Sequence, residues 1–185
     1  MTSKVFPRFL AAVAQQPAPV LLDLGPVVGS NITFFGERLA CKIYVEDLIA
    51  DVEAAAKRGE RDALTAALAT RLTQAPESVD GVLCWDLFDF LSRPAGQMLA
   101  RQLSRLLRRG GAVYGLFGTT PIELRNYSRF TVVAEDTLRV KALPATPVQR
   151  SVLLTRDTIK MFDGLIVAES VLLKSKTREQ LFRKP

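Results

Sequence analysis

Three short stretches carry the residue types that could do chemistry, and each ends an apolar run with a carboxylate. The first is Val20-Leu21-Leu22-Asp23-Leu24-Gly25-Pro26-Val27-Val28-Gly29-Ser30-Asn31. Buried parallel strands read as continuous hydrophobic runs. Glycines just beyond such a run let the backbone turn sharply and approach a ligand closely. The loop that leaves the first strand's carboxyl end opens the crevice where doubly wound sheets bind ligands. The spacing Asp-x-Gly-x-x-x-Gly-x-Asn departs from the dinucleotide pattern G-x-G-x-x-G. It reads equally as a ligand turn, built on Asp23, Gly25, Gly29 and Asn31, or as an ordinary strand–turn–helix. The second stretch is Ala40 to Val45, ending in Glu46-Asp47. A fixed acceptor there faces the same crevice and could bond ribose hydroxyls; alternatively one of the pair caps the next helix. Glu46 is the better ribose candidate, because Val45 packs inward just before it. The third stretch runs from Val79 through Cys84-Trp85 to Asp86.

The chain contains no histidine and only two cysteines, Cys41 and Cys84, both in apolar runs. Those thiols read as small buried hydrophobes with no disulfide framework. A Ser-His or Cys-His nucleophile pair is excluded, and so is a typical zinc site, so no metal is expected. Chemistry must run on carboxylates, hydroxyls, backbone dipoles or a cofactor. No apolar run approaches the ~18 to 20 residues of a membrane span, and Met1 to Arg8 lacks a signal peptide's apolar region. No membrane association and a cytoplasmic location are therefore expected. Charge is uneven: residues 1–100 carry 9 Lys/Arg against 12 Asp/Glu, and residues 101–185 carry 16 against 7. A basic half can meet nucleic acid or another anionic partner. Its cations are scattered, however, with no block interleaved by aromatics, and a solvated face is the favoured reading.

The elements that would position these carboxylates follow from periodicity. The 185 residues are read as one domain, 1–185. Phe6, Phe9, Leu10 and Val13 fall at helical spacing within an N-terminal helix (residues 1–16). A strand over about Pro19–Asp23 precedes a helix over 31–38, with Ile32, Phe34 and Phe35 inward. Residues 48–72 read as one or two helices, 94–109 as an amphipathic helix stopped by Gly110-Gly111, and Ala112–Phe117 as a strand. From Thr119 the period changes to two. Residues 129–143 read as a β-hairpin turning at Glu135-Asp136, with Pro144 and Pro147 in a loop, so 119–150 is an insertion or lid. Thr155 would cap a helix to Phe162, and Leu165–Leu173 with Glu179–Arg183 would close the sheet as an antiparallel pair. Alternating strands and helices imply an α/β parallel sheet with antiparallel strands at one edge.

That order, with Asp-x-Gly at the first turn and acid after the second strand, resembles the class I S-adenosylmethionine-dependent methyltransferases over about residues 17–185. Asp23-Leu24-Gly25-Pro26-Val27-Val28-Gly29 corresponds to the family's first motif, Glu46 or Asp47 to its ribose-binding acid, and Asp80–Leu91 to its fourth-strand motif. Leu106-Leu107-Arg108-Arg109-Gly110-Gly111 is similar to its turn before strand five. The resemblance implies a three-layer Rossmann-like sheet and S-adenosylmethionine as cofactor. It also implies Asp23, Gly25, Gly29, Asn31, Glu46 and Asp47 on the cofactor side, and Trp85 and Asp86 at the transfer end. Asp86 would be the general base if the acceptor loses a proton. Plain packing for Trp85 and a helix cap for Asp86 are the alternatives. Two departures stand out: Val27 replaces a glycine, and the third strand that normally walls the adenine is not evident in 48–78. The implied function is methyl transfer to a small-molecule or protein acceptor. A non-catalytic binding or assembly module on the same fold is the other reading, since fold does not fix function.

Overall fold

The computed structural model describes all 185 residues. In chain order the elements are α1 (Phe6–Val13), β1 (Val20–Asp23), α2 (Gly29–Leu39), β2 (Lys42–Val45), α3 (Leu48–Lys57), α4 (Leu64–Arg71) and β3 (Val79–Trp85). There follow α5 (Arg93–Leu106), β4 (Leu107–Gly118), β5 (Glu123–Ala134), β6 (Thr137–Gln149), α6 (Thr155–Met161), β7 (Ile166–Leu172) and β8 (Thr177–Arg183). Six strands form one sheet in the order β2-β1-β3-β4-β8-β7, and β5 with β6 forms a separate two-stranded sheet. β2, β1, β3 and β4 run parallel, while β8 is antiparallel to both β4 and β7.

Each face of the sheet is covered, as the fully buried β3 requires. On one face Leu22, Val82 and Val113 pack with side chains of α3, α4, α5 and α6, among them Val52, Leu68, Leu99 and Met161. On the other, Leu21, Leu83 and Tyr114 pack with Phe6 and Phe9 of α1, Phe35 of α2, and Phe130 and Leu138 of the hairpin. The result is the three-layer α/β architecture expected, including the antiparallel C-terminal pair. Between β2 and β3 the chain is helical and contributes no strand, so β2 lies at the sheet edge.

Several local expectations are corrected. Ile32 faces outward on α2, whose buried residues are Asn31, Phe35 and Leu39, so the buried stripe starts one residue earlier, on a polar side chain. α5 ends at Leu106, because Leu107 is already extended and opens β4; Gly110-Gly111 lies inside that strand. Pro144 and Pro147 lie within β6. A two-stranded ribbon has only edge strands, the places in a sheet where proline is tolerated. Leu154, not Thr155, is the N-cap of α6, and its N–H donates to Asp157.

Arg108 leaves the helical role expected of it and crosses to the amino end of β3. There its Nη1 lies 2.8 Å from Asp80 Oδ2, which also accepts the Val20 N–H at 2.8 Å. Asp80 is only 1% exposed, and a buried carboxylate stripped of its cation is strongly unfavourable. Arg108 is itself 45% exposed, so Arg108→Ala should lower stability by about 1–3 kcal/mol, read as a shift of the urea midpoint.

Candidate functional site

Parallel pairing aligns the carboxyl ends of β1, β2 and β3, so Asp23, Glu46 and Asp86 emerge along one edge of the sheet. The junctions are tied by backbone bonds: Leu24 N–H donates to Leu83 O at 3.0 Å, and Glu46 N–H to Asp23 O at 2.8 Å. Adjacent strand ends therefore share one rigid rim.

Asp23 closes β1 and is 3% exposed. Its Oδ1 accepts the Gly25 N–H at 2.9 Å and the Trp85 indole Nε1–H at 2.7 Å. Burial pushes its pKa up to about 6 despite those two donors. Gly25 must be glycine. A Cβ there would stand 2.6 Å from Trp85 Cδ1 and 2.9 Å from Nε1, so the indole lies flush against the turn. Gly29 opens α2 with free space on its Cα, and Val28, the N-cap, is extended.

Asn31 turns away from the turn it follows. Its Nδ2 donates to Phe130 O at 2.9 Å, and its Oδ1 accepts the Val132 N–H at 2.8 Å. Both ends of the amide are thus spent on β5. Of the acids after β2, Asp47 accepts the Ala50 N–H at 3.2 Å as the N-cap of α3. Glu46 is held by the Arg71 guanidinium at 2.6 Å, and its other oxygen accepts from Gln74.

At the end of β3, Trp85 has φ +49°, the left-handed region, where a bulky side chain is a genuine outlier. A register shift separates it from Leu83. Its ring stacks on Phe130, with centroids 5.0 Å apart and planes 8° apart, and meets Tyr114 edge-on at 6.0 Å. Core packing is thus a real part of its role. Asp86 opens a single 3₁₀ turn without capping it through its side chain. Burial pushes its pKa up to about 7, with the neighbouring Ser128 hydroxyl working against the rise and Asp89 adding to it. Its Oδ1 has no partner.

Sequence reasoning did not find the neighbours of Asp86. Asp89 Oδ2 lies 2.9 Å from Arg150 Nε, and Asp89 Oδ1 accepts the Gly118 N–H at 3.0 Å. Arg150 also donates to Thr120 O at 3.1 Å, locking the end of β6 to the end of β4. Asp86, Asp89, Ser128, Phe130 and Arg150 line a cavity of about 300 Å³. Nothing local marks an arginine 61 residues downstream of Asp89 as its partner. Phe130 and Val132, by contrast, alternate with polar residues, and that period of two announces one buried face of the hairpin.

None of the cavities is lined by Asp23, Gly25, Gly29 or Glu46. The crevice that the first turn would open is filled by Trp85 and roofed by Phe130, Val132 and Leu138, each at most 5% exposed. Uncovering four such side chains would cost about 6–12 kcal/mol at roughly 1.5–3 kcal/mol apiece.

The methyltransferase-domain model matches residues 22–115, just over half of the chain. The chain belongs to the methyltransferase-domain family. The match begins in β1 and ends in β4, so it spans all three strand-end carboxylates. No curated protein matches the sequence. Among solved structures, an S-adenosylmethionine-dependent methyltransferase from Clostridium acetobutylicum is similar with TM-score 0.59 and 13% identity, covering 100% of this chain and 92% of that one. The PH0226 protein from Pyrococcus horikoshii is similar with TM-score 0.57 and 12% identity, covering 91% of this chain and 83% of that one. The glycopeptide N-methyltransferase MtfA, solved with (S)-adenosyl-L-methionine, is similar with TM-score 0.53 and 11% identity, covering 97% and 92%. At these identities the likeness is one of fold. No helix is long and apolar enough to cross a membrane.

Proposed function

We propose that this methyltransferase domain is an S-adenosylmethionine-dependent enzyme acting on an acceptor that must lose a proton. Family membership and the cofactor held by the similarly folded MtfA support the choice of cofactor. That cofactor supplies an electrophilic methyl group; the rest falls to this chain. Asp23 keeps Oδ2 outside its bonds to Gly25 and Trp85, and Glu46, oriented by Arg71 and Gln74, would accept a hydroxyl donor through its remaining lone pairs. Gly25 gives the close backbone approach and Gly29 leaves the start of α2 open. Asn31 and Asp47 are committed elsewhere, to the hairpin and to the cap of α3, and we leave them out of the ligand contacts. In the closed arrangement of Trp85 over Gly25 the cofactor has no room.

One observation carries the catalytic reading. Asp86, with a pKa of about 7, lines the cavity at the strand ends. A general base works best when its pKa lies near the operating pH. Asp86 would receive a proton from an acceptor hydroxyl or amine, with Ser128 beside it on the same cavity wall. Transfer to such a nucleophile rests mainly on positioning, so the missing histidine is no obstacle. The second reading, a methyltransferase fold that binds or assembles without catalysing, is favoured by the indole that fills the turn.

Calorimetric titration with S-adenosylhomocysteine separates the two. Binding that drops at least about tenfold, or about 1.4 kcal/mol, in both Asp23→Ala and Glu46→Ala supports the enzyme. No heat at millimolar ligand, from the wild type and from a folded Phe130→Ala variant alike, selects the non-catalytic module.

A further inference from the structure

We propose that Trp85 and the β5–β6 hairpin form a built-in cover over the cofactor crevice, latched through Asn31, and that cofactor enters only when this cover moves. The inference rests on the cofactor reading above and concerns how that same site is controlled. Four observations meet in it. The indole sits flush on the one turn whose glycine would admit a ligand, 2.6 Å from where a Cβ would stand. Trp85 is held at φ +49° on the strand end beside Asp86, and backbone outliers of this kind gather at ligand clamps and switch regions. The hairpin is a sheet of its own, with no strand pairing to the six-stranded sheet; its base is fixed by Arg150 to Asp89 and by Thr146 to Glu53, which leaves the Phe130–Leu138 end as the part that can move.

The fourth observation is how it is fastened. Asn31, buried on α2, spends its whole amide on Phe130 O and Val132 N–H. Arg38, two turns further along the same helix, pairs with Glu135 at the hairpin tip. The N-terminal segment before α1 adds backbone bonds from Leu138 N–H to Met1 O at 2.9 Å and from Ser3 N–H to Asp136 O at 2.7 Å. Helix α2 begins at the end of the ligand turn, so the latch connects the cover to the element a bound ligand would touch first. A ligand that favours the open arrangement shifts the equilibrium by its differential affinity alone. Loosening the latch must then raise apparent affinity by the factor by which it raises the open population.

Trp85 is the only tryptophan in the chain, so its fluorescence reports the cover directly. Acrylamide quenching and S-adenosylhomocysteine titration would be run on the full-length wild type, Asn31→Ala and the milder Arg38→Ala. The expected result is a shielded Trp85 in the wild type, and in Asn31→Ala a more quenchable one with affinity at least about tenfold higher. Arg38→Ala, whose ion pair is exposed, keeps the fold in hand if Asn31→Ala does not fold, and should move both readouts the same way. Wild-type affinity equal to that of the folded variants, with Trp85 quenching unchanged at saturation, would overturn the cover and leave the cofactor reading intact. A more quenchable Trp85 in the variants, with no ligand bound by any of them, would sink the cofactor reading and leave the cover nothing to admit.

Discussion

Trp85→Ala should lower the stability of this fold by about 3–5 kcal/mol, the range for removing a large buried aromatic side chain. The indole is 3% exposed, stacks on Phe130, and satisfies the buried Asp23 oxygen through its N–H. Its loss leaves a hole between turn and hairpin and strips one of the two donors from that carboxylate oxygen. The sharper test compares alanine with glycine at this position. In an ordinary extended segment glycine is the worse residue by about 0.5–1 kcal/mol. At φ +49° the order should reverse, because alanine keeps a Cβ in the left-handed region and glycine does not. Urea unfolding of Trp85→Gly and Trp85→Ala would show it: glycine equal to or above alanine fits the strained backbone, while glycine clearly below it removes strain from the account of Trp85.

The second large effect is a fall in stability as pH rises. Burial pushes the carboxyls of Asp23, Asp86 and Asp89 up to about 6, 7 and 6, against about 3.9 in an unfolded chain. Between those values the native protein holds protons that the unfolded chain has released, so stability decreases with pH. The contribution is complete below about pH 4 and is lost as the pH climbs through 6 and 7. Glu53 works in the opposite sense. It is held below its ordinary range because, against its burial, the Thr146 N–H and hydroxyl bond the ionised form. Its contribution is lost on acidification, which sets a lower bound on the stable range. The urea midpoint should therefore peak on the acid side of neutrality and decline from pH 5 to pH 8. Asp86→Asn should flatten that decline and exceed the wild type at pH 8 by about 1–3 kcal/mol, since each pKa unit is worth 1.36 kcal/mol. A wild-type midpoint that rises from pH 5 to pH 8 would contradict the raised pKa values of these three acids.

Much of this molecule was written in local pattern. The apolar runs Val20–Leu22 and Gly81–Trp85 read as strands of a buried parallel sheet, and they are. The spacing of Phe6, Phe9, Leu10 and Val13 fixed both α1 and its buried side. Placing a carboxylate after each of three parallel strands put Asp23, Glu46 and Asp86 on one rim, because parallel pairing aligns strand ends without further information. The proline and helix-forming residues between Lys57 and Val79 declared that no third strand would form there. These features were legible because each depends on neighbours a few residues apart.

What the tertiary structure alone decided is how the rim is used. Nothing near Asn31 says that its amide will meet Phe130 and Val132, about a hundred residues later. Nothing near Asp89 points to Arg150. Glu46 looked free to bond a ligand, and it is Arg71 and Gln74, brought back by α4, that hold it. The period-two pattern of residues 129–143 foretold a hairpin with one buried face, but not that the face would lie over Trp85 and close the first turn. A sequence specifies which side chains seek burial, whereas the partner each one finds depends on how distant elements pack. In this protein that packing covers the first turn with the chain's own tryptophan.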